Sequence, residues 1–275
     1  MEKVNLIKGS VQETMLGPLW ARAKFSKLYP EILDDQKAYE IIEKLDYDFS
    51  KVQEYLGEWR GIGLLVRAKN FDNALKDYIE RFPNSTIVNI GAGLDTTFFR
   101  VDNGKIKWYD LDLSDAIEFR RQYIPETIRC KYISKSALDY SWFDEIDFSH
   151  DKGIFLIAGG FIYYFQENEI SAFFRALAGK FPDGELIFDC VSNLAIKVAH
   201  KRAKKAGVET PFWHIGIGDP IKKIAEWSDN IKVIDWYTMY SRVKPNPKWN
   251  KKTVKMVKIA ERFKTAKIVH VKFLK

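Results

Sequence analysis

The sequence predicts an α/β fold in which a mostly parallel sheet carries helices on both faces and follows an N-terminal helical cap. Three observations predict it: helical periodicity up to Pro83, short apolar runs alternating with helical stretches from Thr86 to Cys190, and a closing segment with two-residue alternation. A chain of 275 residues fits one such domain, with 1–82 as the cap and 83–275 as the core. Its 46% hydrophobic and 29% charged residues are the composition of a packed globular protein.

In the cap, Met15, Leu19 and Arg22 share one helix face. A stronger stripe runs Leu64, Arg67, Phe71, Ala74/Leu75, Tyr78 and Phe82 and closes at Pro83. Strands are expected at Thr86–Ile90, Lys105–Leu111, Arg129–Ile133, Gly153–Ala158 and Glu185–Cys190. Between them, Thr96–Arg100, Ser114–Tyr123, Trp142–Phe148 and Glu167–Phe181 read as helical at least in part. The alternation then breaks at a polar, basic stretch over 192–227, punctuated by Gly207, Pro211, Gly216, Gly218 and Pro220 and expected to form a lid. Lys232–Tyr237 and Ala266–Leu274 read as a closing antiparallel pair across the 241–263 excursion, with Val269, Val271 and Phe273 on one face.

Forty-four Lys+Arg against 37 Asp+Glu leave +7. The basic residues read as spread along the chain, so this charge permits an acidic partner without implying one. The run Lys197, His200, Lys201, Arg202, Lys204 and Lys205 reads as a solvated helix face, and no nucleic-acid partner is expected. Two cysteines, Cys130 and Cys190, make no disulfide framework, and the four histidines form no zinc-like cluster. No apolar run approaches the roughly 18 residues of a membrane span. The opening Met1-Glu2-Lys3-Val4-Asn5 lacks a signal-peptide core, so a cytoplasmic enzyme without a membrane partner is expected.

The chemistry concentrates after the first strand. Ile87-Val88-Asn89-Ile90 runs into Gly91-Ala92-Gly93, a turn at which backbone approaches a ligand where a Cβ would obstruct it. Asp110 and Asp112 follow about 20 positions later, where a ribose-binding carboxylate belongs. Thr96 stands in place of the third glycine of a dinucleotide fingerprint, and Asp95 would repel a pyrophosphate. The pattern therefore favours an adenosine without phosphate, S-adenosylmethionine, over NAD. A nicotinamide-dependent oxidoreductase is the alternative.

The block Val88-Asn89-Ile90-Gly91-Ala92-Gly93-Leu94-Asp95-Thr96-Thr97-Phe98-Phe99-Arg100 resembles the signature of the leucine carboxyl methyltransferase family, in its bacterial polyketide-type O-methyltransferase branch. Tyr109-Asp110-Leu111-Asp112-Leu113 and Phe181-Pro182-Asp183-Gly184-Glu185-Leu186-Ile187-Phe188-Asp189 are similar to its second- and fifth-strand blocks. Ala21-Arg22-Ala23 and Leu45-Asp46-Tyr47-Asp48-Phe49-Ser50 are similar to its N-terminal part. The resemblance implies a class I, Rossmann-like methyltransferase with a seven-stranded sheet. It also implies cofactor contacts: Gly91, Ala92 and Gly93 at the methionine part, Asp112 and Leu113 at the ribose, Ser136, Ala137 and Leu138 at the adenine, and Arg67 at the carboxylate. Independently, Arg67 lies on an apolar stripe, where a buried guanidinium needs an anionic partner. A structural pair with Asp95 would meet the same need, and Arg22 on its own helix invites the same argument.

The acceptor, a small-molecule or protein carboxylate or a hydroxyl, is expected against the cap and the lid, with Tyr163, Tyr164, Trp213 and His214 as candidate contacts. One departure stands out. Gly159 in Ala158-Gly159-Gly160 replaces a family Glu, which could redirect the acceptor, weaken cofactor binding or mark a non-catalytic relative.

Overall fold

The computed structural model describes residues 11–205 and 213–275, and side chains outside 11–13 and 202–205 within them. Gly207, Pro211 and the opening residues 1–5 lie outside the described residues, as do the side chains of Arg202, Lys204 and Lys205. Three helices form the cap: α1 (Val11–Leu28), α2 (Gln36–Lys44) and α3 (Ser50–Arg81), the last broken at Gly57. The expected face of α1 is buried at Met15, Leu19 and Arg22. The α3 stripe is wider than its periodicity suggests, because Ile62, Leu65, Val66, Leu75 and Ile79 are buried beside Phe71 and Tyr78, while Leu64 and Ala74 are half-buried. This helix packs against both the cap and the sheet.

The core alternates β1 (Thr86–Ile90), α4 (Thr97–Val101), β2 (Lys107–Asp112), α5 (Ser114–Tyr123), β3 (Cys130–Ser134), β4 (Ile154–Ala158), α6 (Glu167–Lys180) and β5 (Glu185–Val191). The Trp142–Phe148 helix is corrected to a 3₁₀ turn over Tyr140–Glu145, whose start Asp139 caps by accepting from Ser141 N at 3.1 Å. Beyond β5 come α7 (Asn193–Lys205), α8 (Pro220–Trp227), β6 (Ile231–Thr238), α9 (Lys251–Arg262) and β7 (Ala266–Phe273).

The seven strands are ordered β3-β2-β1-β4-β5-β7-β6, with β7 antiparallel to both neighbours. Alternate strand residues fill two separate cores. Ile87, Phe155, Ile157, Ile187 and Ile268 face α3, α5 and α9, whereas Val88, Leu156, Leu186, Phe188 and Val269 face α6 and α8. Because β7 lies inside the sheet, it is covered on both faces, and its outer-reading residue Lys267 is 1% exposed. The expected lid is shorter than 192–227: Ile224 and Trp227 of α8 belong to the second core and pack against α6 and β6. Among the described residues of 192–227, α7 and residues 213–219 lie outside α8.

One carboxylate joins the cap to the core. Asp35 caps α2 by accepting from Ala38 N at 3.1 Å, pairs with Arg22 Nε at 2.9 Å and Arg100 Nη1 at 2.8 Å, and accepts from Thr96 Oγ1 at 2.6 Å. Burial pushes its carboxyl up, but Arg100 and Arg22 outweigh that and hold it below the usual range. Asp35→Ala takes the ion-pair carboxylate from buried Arg22, while Arg100 keeps Asp72, and is expected to cost about 3–5 kcal/mol in denaturant titration. Asp35 has a depressed folded pKa, so its stabilisation is complete above the unfolded value of about 3.9 and is lost as pH falls through the lower folded value. In the parent this loss appears as a fall in Tm only below about pH 4, and the slope there is smaller in Asp35→Asn.

Candidate functional site

The crevice of an open α/β sheet lies where strand order reverses, here between β1 and β4. The chain leaves β1 through Gly91 (φ +66°) and Gly93 (φ +46°), both in the left-handed region that favours glycine. A Cβ on Gly91 would sit 2.9 Å from Phe161 Cδ2, and one on Gly93 would sit 3.0 Å from Met15 Cγ and Sδ. The turn is held from within. Gly91 N and Ala92 N donate to Leu111 O at 2.8 and 3.2 Å, Asp95 N donates to Ala92 O at 2.8 Å, and Gly93 N donates to Asp112 Oδ2 at 2.7 Å. Buried arginines take its carbonyls: Arg120 donates to Gly93 O at 2.9 Å and Asp95 O at 2.7 Å, and Arg22 donates to Leu94 O at 2.8 Å.

Asp112 ends β2 half-buried, and its second oxygen accepts from Leu113 N at 2.8 Å. Burial raises its carboxyl above the usual range despite the two amide bonds. Lys135 N donates to Asp112 O at 3.0 Å, which brings the Ser136-Ala137-Leu138 segment to the same edge. Ser136 Oγ accepts from Leu138 N at 3.2 Å, and Ala137 O accepts from Trp142 Nε1 at 3.0 Å. The structure therefore gathers Gly91, Ala92, Gly93, Asp112, Leu113, Ser136, Ala137 and Leu138 at the carboxyl ends of three adjacent strands.

Arg67 reaches this edge from α3. Its side chain is 16% exposed, and among the described residues its acceptor is Asp189 Oδ2, at 3.5 Å. The expected structural partner, Asp95, is corrected to Asp189 at the end of β5. Arg67 Nη1 lies 2.7 Å from where a Cβ on Gly160 would stand, and Phe161 next along the chain borders Gly91. Arg22 departs from its expected cofactor role, since its Nε and Nη2 are bound by Asp35 and Leu94 O beneath the turn.

The expected acceptor contacts separate. Tyr163 is buried, and its hydroxyl donates to Asp189 Oδ2. Tyr164 is 47% exposed. Trp213 stacks at a tilt on Tyr163 with ring centroids 5.4 Å apart. His214 is exposed, shares a 3.0 Å contact with Gln166 Nε2 and lines a polar groove with Glu167, Asn193 and Lys222. The Tyr163 hydroxyl thus supports Asp189 together with Gly160 N and Arg67.

Asp189 went unread as a site residue although it closes the fifth-strand block. It accepts from Gly160 N at 2.6 Å, from Tyr163 and from Arg67. It therefore supplies a carboxylate beside the position where Gly159 lacks one. A Cβ on Gly159 would lie 2.8 Å from Phe71 Cε2, so a side chain there would displace the Phe71 ring. Among the described residues no group of three or more His, Cys, Asp or Glu side chains is placed to hold a metal ion.

A seven-stranded sheet with an inserted antiparallel β7, and a glycine turn facing an acidic second strand, define a class I S-adenosylmethionine-dependent methyltransferase. The sequence profile of leucine carboxyl methyltransferases matches residues 16–178, and the chain belongs to that family. It is 28% identical over 212 residues to the tetracenomycin polyketide synthesis O-methyltransferase TcmP of Streptomyces glaucescens, covering 76% of each chain. It is 24% identical over 212 residues to the S-adenosyl-L-methionine-dependent methyltransferase dpfgK of Gibberella zeae, covering 71% of each. A duf574 family protein from Streptomyces avermitilis shares the fold at TM-score 0.59 and 10% identity, over 93% of this chain and 97% of that one. The oxidoreductase alternative finds no support among these relatives.

Gly91→Val and Gly93→Val are expected to abolish S-adenosylmethionine binding in calorimetry while lowering Tm by a few degrees. A Val variant that binds like the parent would move the ligand away from this turn.

Proposed function

We propose that this enzyme methylates a carboxylate oxygen of a small molecule, holding S-adenosylmethionine between the Gly91–Gly93 turn, Asp112 and Arg67. The observation that carries this reading is the under-partnered Arg67 guanidinium. It presents five N–H donors, yet its acceptor among the described residues is one carboxylate oxygen at 3.5 Å. A group so sheltered calls for a second anion, and an amino-acid carboxylate matches its planar fork. The glycine cradle and a carboxylate at the end of β2 fit the rest of the same ligand.

When bound, S-adenosylmethionine supplies an electrophilic methyl group on a sulfonium. The chain's own part is to align and shield. Asp112 accepts hydrogen bonds from the ribose hydroxyls, the Ser136-Ala137-Leu138 segment borders the adenine, and Arg67 anchors the carboxylate. With the donor fixed at both ends, transfer requires only an acceptor oxygen in line with the methyl–sulfur bond and exclusion of water.

A carboxylate acceptor, with a pKa of about 4, is already ionised at neutral pH and requires no base. A phenol, with a pKa near 10, would call for one. His214 is engaged with Gln166, and His270 faces Glu185 at 2.9 Å at the opposite ends of the strands. Asp189 is taken up by Gly160, Tyr163 and Arg67. The absence of a free base beside the turn among these groups favours the carboxylate reading. TcmP, named for polyketide synthesis, supports an acceptor of that small-molecule kind. Two buried free thiols, Cys130 and Cys190, support a reducing, cytoplasmic setting.

Arg67→Lys is expected to weaken S-adenosylmethionine binding strongly and to leave the weak binding of decarboxylated cofactor almost unchanged. The coupling between substitution and ligand should be roughly 1–3 kcal/mol; a value near zero would return Arg67 to a purely structural role. Asp112→Ala should cost about 1–3 kcal/mol of cofactor binding. Because burial raises the Asp112 carboxyl, parent affinity should fall as pH falls through its pKa and the accepting charge is lost. Asp112→Asn should flatten that part of the profile. Labelled cofactor screened against carboxylates and phenols decides the acceptor: methyl esters from carboxylates support the reading, and phenol ethers alone contradict it.

A further inference from the structure

The charge of this chain is not spread along it. Residues 241–264 carry nine Lys and Arg against a single acid, Glu261, a net +8, so the rest of the molecule is −1 within the total of +7. Glu261 is already counted as −1 in that sum, and its carboxylate accepts from Tyr240 N at 3.0 Å and from the Thr238 hydroxyl.

The segment is built around α9. Thr253, Val257 and Ala260 bury one face, and Asn250 caps the start by accepting from Thr253 N at 2.7 Å. The opposite face presents Lys251, Lys255, Lys258 and Arg262 at helical spacing, all exposed. Among the described residues, none of these four has a carboxylate within ion-pair distance, and the one such pair of the 241–264 segment joins Arg242 to Asp235. The apolar side chains Ile259 and Phe263 lie among these charges, 38% and 55% exposed. The first turn of α9 is tied to the cap, since Glu58 of α3 accepts from Thr253 Oγ1 at 3.1 Å and Asn250 N at 3.2 Å. The buried face therefore rests on the cap and leaves the basic face turned to solvent.

We infer that the exposed face of α9 is a docking surface for an anionic phospholipid bilayer. A helix of 12 residues, roughly 18 Å long, lays its basic row along a plane. Lysine dominates the segment seven to two over arginine. Compact ammonium charges suit a diffuse negative surface potential, whereas planar guanidinium forks are the choice for fixed phosphates of a nucleic acid. Ile259 has no aromatic face to stack on a base, whereas beside lysines on one helix face it and Phe263 both seat below the headgroups. No membrane-crossing segment is involved: no described helix is long and apolar enough to span a bilayer.

Sedimentation of the whole protein with phosphatidylcholine vesicles, with and without about one-third phosphatidylserine, tests this. Binding is expected only with phosphatidylserine, and it should be lost when salt is raised to about 0.5 M. The triple variant Lys251→Gln, Lys255→Gln, Lys258→Gln should partition about a hundredfold less, and the matching Lys→Glu triple should lose binding altogether. Ile259→Ser with Phe263→Ser, at unchanged charge, should lose about fivefold or more. Parent-like Tm and S-adenosylmethionine affinity in each variant establish that it is folded. Absence of binding to phosphatidylserine vesicles, equal binding to neutral ones, or parent-like binding by the charge-reversed triple overturns the proposal. So does parent-like binding by the Ile259 and Phe263 variant, which would reduce the surface to counterion attraction, and so does tighter binding to RNA than to vesicles.

Discussion

The architecture of the site depends on buried guanidinium groups holding a glycine turn by its carbonyl oxygens. Arg120 takes the carbonyls of Gly93 and Asp95, and Arg22 takes that of Leu94. Each arginine is balanced by a buried carboxylate, Arg120 by Asp110 at 2.6 Å and Arg22 by Asp35 at 2.9 Å. Such pairs contribute little net stability over apolar substitutes, but removing one partner is costly. Their effect here is on shape: a turn of left-handed glycines, which would otherwise have wide conformational freedom, is fixed in one geometry before any ligand arrives.

One of these carboxylates, Asp35, also ties the helical cap to the sheet. Asp35 lies between α1 and α2, yet it reaches Thr96 and Arg100 of the core, and Arg100 in turn grips Asp72 of α3 at 2.7 Å. Cap and turn are thus one electrostatic unit, which places Met15 against Gly93 and Arg67 against Gly160. On the β5 side, Asp189 plays the corresponding part, holding Gly160, Tyr163 and Arg67 together. The glycine at 159 is therefore accommodated twice, by the Phe71 ring that approaches it and by a carboxylate one strand away.

The elements legible in the sequence are those set by local patterning. β1 to β5 fall within about two residues of the expected runs, because each is an apolar stretch bounded by turn residues. The turn at Gly91–Gly93 and Asp112 were legible because their chemistry is local and their spacing fixed. What escaped depends on contacts distant in sequence. Asp189 meets Arg67 across 122 positions, Arg22 is claimed by Leu94 across 72, and neither pairing leaves a local trace. The bond from the Tyr163 hydroxyl to Asp189 spans 26 positions and leaves no local trace either. The lid shrank because Ile224 and Trp227 pack into a core that periodicity alone cannot assign. Two misses were avoidable. The buried stripe Thr253, Val257 and Ala260 behind a capping Asn250 marks α9, and counting charge by segment reveals that the basic excess is local.

A crystal structure of the protein with S-adenosylhomocysteine bound tests the central claim most directly. The account predicts both ribose hydroxyls within hydrogen-bond distance of Asp112, and the product's carboxylate on the Arg67 guanidinium in addition to Asp189. It predicts an essentially unmoved Gly91–Gly93 turn, since the arginines behind it are already in place. A ligand bound elsewhere, or a carboxylate held by another cation while Arg67 stays on Asp189 alone, would contradict it.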